Sequence, residues 1–166
     1  MADKAIGKNS ASIFLDEIKS SLAGNLNYEP SVEIASTSGE GWVFSERAVS
    51  TSAGVNLLYT SDTFMGTSSA IINTDIIMWI AVKNLSTVAT EGVALSLDAN
   101  GSNAYNDVDA IIIGAGEMVT LKLGVCTVNS LHARAVTMDG TYGYATADAT
   151  SGTVLCHTAA IIKNIS

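Results

Sequence analysis

Apolar and polar positions change their period once along this chain. Over "NSASIFLDEIKSSLAGN" the apolar residues Phe14, Leu15, Ile18 and Leu22 recur at three- to four-residue intervals. Asp16, Glu17 and Lys19 fall on the other side, and Gly24 can adopt the left-handed turn that stops a helix. The spacing predicts one amphipathic helix, from about Ser12 to Leu22. Pro30 in "NLNYEP" cannot continue a helix, so it marks the passage from an N-terminal arm (residues 1–30) to the body (residues 31–166).

From Ser31 onward, short runs rich in Val, Ile and Thr are separated by clusters of Gly, Ser, Asn and Asp, the pattern of strands and turns. Strands are expected near "VEIAS" (Val32), "GWVFSERAV" (Trp42), "VNLLYT" (Val55), "DIIMWIAVKN" (Asp75), "GVALSLD" (Val93), "DVDAIII" (Val108), "EMVTLKL" (Glu117), "SLHARAV" (Leu131) and "GTVLCHTAAIIK" (Val154). Eight or nine strands with no helix between them predict a mainly β fold, an antiparallel β-sandwich or jelly roll carrying the short N-terminal helix.

Strict alternation assigns faces. In "VALSL", Val93, Leu95 and Leu97 point one way and Ala94, Ser96 and Asp98 the other, so a half-buried strand is expected. In "IIMWIAV" both sides are apolar: Ile76, Met78, Ile80 and Val82 on one, Ile77, Trp79 and Ala81 on the other. A sandwich buries one face of each sheet, so the second side of this strand must meet a loop, the N-terminal helix or another chain.

Composition sharpens that expectation. The 166 residues are 48% hydrophobic and only 14% charged, against roughly 25% charged in ordinary soluble domains. Surfaces poor in charge are often covered by a partner. Eight Lys and Arg face sixteen Asp and Glu, a net charge of -8 with no basic cluster. Nucleic acid and anionic membranes are therefore not expected partners, because phosphates require a concentrated positive face. The N-terminus "MADKAIGKNS" has no apolar signal region, and "IIMWIAV" is far short of the ~20 residues that span a bilayer, so synthesis in the cytoplasm is expected. Cys126 and Cys156 each lie in apolar runs and are expected as free, buried thiols.

One stretch invites a chemical reading. In "LDANGSNAYNDVD" the oxygens of Asp98, Asn100, Ser102, the Ala104 carbonyl, Asn106 and Asp109 fall at positions 1, 3, 5, 7, 9 and 12 of a calcium loop. Asn103 occupies the sixth position, where such loops use Gly, and Asp109 stands where a longer bidentate Glu is usual. A polar connection between strands is the simpler expectation. "IIIGAGEMV" lacks the third glycine and the Lys of a phosphate cradle and is expected to be a hairpin turn, Gly114 to Glu117. His132 and His157 lie in predicted strands, and adjacency puts Cys156 and His157 on opposite faces, unsuited to act as nucleophile and base. Tyr142 and Tyr144 would share a face on which a sugar could stack. No catalytic motif occurs, so neither enzymatic activity nor a cofactor is expected.

"DAIIIGAGEMVTLKLG", "VNSLHARAV" and the closing "GTVLCHTAAIIKNIS" together resemble the small β-sandwich virion proteins of tailed bacteriophages, over roughly Ile76 to Ser166. The resemblance implies membership of a virion. Its main implication is a capsid decoration, or cement, protein that binds the major capsid protein lattice, and the alternative is a neck, tail or fibre component. It also implies other virion proteins or further copies of the chain as partners. The apolar helix face of Phe14, Leu15, Ile18 and Leu22, together with Trp79, is the candidate contact surface, in which the helix would pack onto another subunit or close the protein's own sandwich.

Overall fold

The computed structural model describes residues 3–6, 31–34, 40–50, 55–58, 61–65, 68–97, 110–141, 144–148 and 152–163. The predicted helix over 12–22 and the polar stretch 98–109 lie outside them. The described residues form eleven strands: β1 (Asp3–Ile6), β2 (Ser31–Ile34), β3 (Glu40–Ser50), β4 (Val55–Asn56), β5 (Ile76–Asn84), β6 (Glu91–Ser96), β7 (Ile111–Ile113), β8 (Met118–Lys122), β9 (His132–Met138), β10 (Ala145–Asp148) and β11 (Thr153–Lys163). β1 and β2 form an antiparallel ribbon, Asp3 opposite Ile34 and Ile6 opposite Ser31.

The remaining strands make two antiparallel sheets. One has the order β3-β11-β5-β8; the other runs β10-β9-β6-β7, with β4 also paired to β9. Leaving aside the short β10, the chain crosses between sheets at every connection except β6 to β7. That order is the jelly roll, two Greek keys folded face to face. The fold is thus the β-rich sandwich that the strand pattern predicts, with the jelly-roll strand order.

Period-two alternation builds the core. Along β11, Val154, Cys156, Thr158, Ala160 and Ile162 are buried, and β3 sends Val43, Ser45 and Val49 to meet them. The facing sheet contributes Val93 and Leu95 of β6, Ile113 of β7, and Ala133 and Ala135 of β9. β11 is paired along its length, with β3 from Thr153 opposite Ser50 to Lys163 opposite Glu40, and with β5 on its other side.

Three expectations require correction. First, "IIMWIAV" does not alternate strictly. The β5–β11 register shifts so that Trp79 faces Ile161 and Ile77 faces Ile162, leaving Met78 as the extra residue of a bulge. Ile77, Ile80 and Val82 all join the main core, whereas Trp79 packs outside with Ile161. Second, "VALSL" is not half-buried. Ala94 and Ser96 on its outer side are as buried as Val93 and Leu95. Val136, Met138, Ile112 and Ala145 gather around Ala94, and the Met138 side chain lies across Gly92, where an added Cβ would collide with its Sδ.

Third, the turn Gly114–Glu117 is not part of a hairpin. The Glu117 N–H donates to the Gly114 carbonyl at 3.1 Å, and Gly116 takes φ 74°, as the third residue of a tight turn requires. The strands on either side belong to different sheets, so the turn carries the chain across the sandwich. Asn84 fixes that crossing. Fully buried at the end of β5, its Nδ2 donates to the carbonyls of Glu91 (3.1 Å) and Ile113 (3.2 Å) in the opposite sheet. Its Oδ1 accepts from the Ser86 N–H at 2.8 Å, and its own N–H donates to the Glu117 carbonyl at 3.0 Å. A buried amide with its groups paired in this way is a specific link between layers.

Candidate interaction surface

The outer face of the β3-β11-β5-β8 sheet is where the second apolar side of β5 lies. Cross-strand pairing arranges it in rows. At one end Trp42, Ile161, Trp79 and Lys122 stand in line, followed by Phe44, Ala159, Ala81 and Thr120. Glu46, His157, Lys83 and Met118 form the next row, and Ala48 and Leu155 pair beyond it.

The two ends of this face differ. Ile161 is 0% and Trp79 5% exposed, although both point away from the core, and the Trp42 and Trp79 rings meet edge to face at 5.6 Å and 76°. Such a contact adds specific aromatic attraction to the area buried. At the other end Phe44 is 50% and Leu155 40% exposed. Between them His157 Nε2 lies 2.8 Å from Glu46 Oε2, and the Phe44 ring meets the imidazole edge to face at 5.2 Å. The open end therefore exposes Phe44, Leu155 and Met118 around one imidazole–carboxylate contact.

β3 forms one border of this sheet, and its free edge is partly closed. The Met65 N–H donates to the Trp42 carbonyl at 2.7 Å, and the Arg47 guanidinium pairs with the Asp62 carboxylate. The Ser45 hydroxyl donates to the Leu57 carbonyl at 2.7 Å. These contacts hold Leu57 and residues 61–65 beside the strand from Trp42 to Arg47.

The residues singled out by the sequence distribute as follows. Trp79 lies in the closed end of the outer face, buried against Ile161. Phe14, Leu15, Ile18 and Leu22 lie outside the described residues, as do Asp98, Asn100, Ser102, Asn106, Asp109 and Tyr142. The flanks of the 98–109 stretch are β6 and β7, adjacent antiparallel strands. Tyr144 is 55% exposed and accepts the Asp139 N–H at its carbonyl, 2.7 Å. Among the described residues no group of three His, Cys, Asp or Glu is arranged to hold a metal ion.

Both thiols are free and buried, as the sequence predicts. Burial pushes the Cys126 thiol up from its ordinary value and that of Cys156 up to about 12. Cys156 and Cys126 face the core, while His157 points outward to Glu46. His132 pairs in register with Asn56 and Ser96 in the other sheet. The sheet itself thus separates each thiol from His157. Phe44 and Leu155 were not singled out by the sequence. The pairing of β3 with β11 places them on the outer face, and nothing in the sequence marks which end of that face is covered.

No protein-family model, curated protein or solved structure matches this chain.

Proposed function

We propose that this protein is a non-enzymatic structural component of a tailed-phage virion, a decoration protein that binds and stabilises the lattice of the major capsid protein. The observation that carries the reading is a jelly-roll sandwich with an open apolar end on one outer face, Phe44 and Leu155, in a chain with only 14% charged residues. Jelly rolls recur in viral capsid and lectin domains, an analogy of fold and not of site. An exposed apolar patch is the kind of surface a neighbouring subunit covers. Binding only the assembled shell would stabilise that shell by mass action.

The test is reconstitution. Shells of the encoding phage, purified without this protein, are heated with and without saturating amounts of it. The expected result is stoichiometric binding and a higher disruption temperature. Absence of binding, or binding with unchanged heat and pressure resistance, overturns the reading. The exposed Tyr144 ring favours a second reading, a carbohydrate-binding module on a fibre. A glycan array on which the wild type binds and Tyr144→Ala does not would support it.

A further inference from the structure

We propose that two copies of the free protein associate face to face through the open end of the β3-β11-β5-β8 sheet, about a two-fold axis running along β11. The inference concerns self-recognition and does not rest on the virion reading.

The outer face carries its own complement. Cross-strand register sets a residue on the β3 side and a residue on the β5 side of each outward residue of β11. Ala159 lies between Phe44 and Ala81, and His157 lies between Glu46 and Lys83. Leu155 lies between Ala48 and Leu85, whose N–H donates to the Leu155 carbonyl at 2.9 Å. Each row thus sets unlike neighbours across β11: large against small, acid against base, small against large. The pattern ends beyond Phe44, where Trp42 and Trp79 flank Ile161 and both sides are bulky.

A two-fold axis along β11 exchanges the two sides of the face, so that β3 of one copy lies over β5 of the other. Phe44 then faces Ala81, Ala48 faces Leu85 and Glu46 faces Lys83, each contact made twice. Leu155 meets Leu155 on the axis. Sheets stack in this way about 10 Å apart, with strand directions within about 30° of each other. The Glu46 carboxylate keeps its Oε2 at 2.8 Å from His157 of its own copy, and Oε1 is the atom that meets Lys83 of the other. Phe44 and Leu155, both exposed in the single chain, are covered in both copies.

Charge decides between this axis and the other one available in the plane of the face. An axis crossing the strands at His157 would set Glu46 against Glu46 and Lys83 against Lys83, and juxtaposed like charges suppress association. The axis along β11 converts the same four charges into two ion pairs. Every group that complements the face is supplied by the face itself, and that selects a second copy as its occupant. The overlap is three strands wide and three rows long, smaller than the roughly 800 Å² that each partner buries in a standard interface, so the dimer is reversible.

Sedimentation velocity of the full chain from about 1 μM to about 1 mM tests this over the range of weak interfaces. The expected result is a monomer–dimer equilibrium weakened at least about tenfold by Phe44→Ser. Glu46→Lys and Lys83→Glu should each weaken it at least about fivefold, because each turns two attractions into two repulsions. The double reversal, Glu46→Lys with Lys83→Glu, restores both ion pairs and should return the equilibrium to near that of the wild type. Rescue separates the pairing from general stickiness of an apolar patch, and unchanged denaturation midpoints show that the charge variants fold. Monomers at every concentration, a dimer indifferent to the single reversals, single losses that the double reversal does not recover, or a larger assembly in place of a dimer overturns the proposal.

Discussion

The two ends of one sheet face are built from the same three strands and the same alternation, yet one is closed and the other open. Trp42 and Phe44 are two residues apart on β3, and Ile161 and Leu155 lie on the same side of β11. Ile161 has no exposed surface, whereas Phe44 keeps half of its own. Apolar character is thus common to both ends, and burial is what separates them. The closed end contributes to folding, and the open end leaves its apolar area exposed.

The largest expected effect is at Ile161. Ile161→Ala removes a fully buried side chain from beneath the Trp42–Trp79 pair and should cost about 2–5 kcal/mol in chemical denaturation. A loss under about 1 kcal/mol would mean that the closed end is no more important to folding than the open one, and the contrast between them would fail.

The inner side of β11 supplies a pH-dependent comparison. Cys156 stands between the outward-facing Leu155 and His157 but points into the core, where burial raises its thiol from 9.0 to about 12. At pH below 9.0 the thiol is protonated in both folded and unfolded chains, so its stabilising effect is fully present. Between 9.0 and about 12 the unfolded chain ionises and the folded one does not, and stability falls as pH rises. Cys126 acts in the same direction. Cys156→Ala should therefore flatten the alkaline decline of the melting temperature relative to wild type. Identical alkaline slopes would place Cys156 in contact with water.

Trp79 sharpens the closed end more finely. Its indole Nε1 is buried and has no hydrogen-bond partner among the described residues. Trp79→Phe loses apolar area but also removes a desolvated donor, and these effects oppose one another. A loss of only about 1–2 kcal/mol is expected, clearly smaller than for Ile161→Ala. A larger loss would indicate that the indole N–H is bonded in solution.

Much of this arrangement was legible from the chain. The period-two pattern of "GTVLCHTAAIIK" alone puts Cys156 inside and His157 outside, and the two-sided apolar character of "IIMWIAV" announces a covered outer face. The bulge at Met78 was not legible, because it is a mismatch in count between β5 and β11 and exists only once the two are paired. Gly114 and Gly116 marked a turn correctly, but a turn does not say which sheet the next strand joins, and here it joins the other one. The link through Asn84 was hidden for a similar reason. Its carbonyl partners at Glu91 and Ile113 carry no side-chain signature.

The smallest effect on stability is the most informative about function. Phe44→Ala trims a side chain that is half exposed, neighbours only Ala159 across the strand and meets the His157 ring at its edge. Folding should change by no more than about 0.5 kcal/mol, the range of surface substitutions that touch no special feature. Under the proposed function, binding to the capsid lattice should nonetheless weaken, because the same ring supplies much of the apolar area the open end exposes. Denaturation midpoints and shell binding of one variant therefore separate the two roles of the face. An unchanged midpoint with weakened shell binding assigns Phe44 to binding. A midpoint lowered as far as that of Ile161→Ala would make the open end part of the core in solution and erase the distinction.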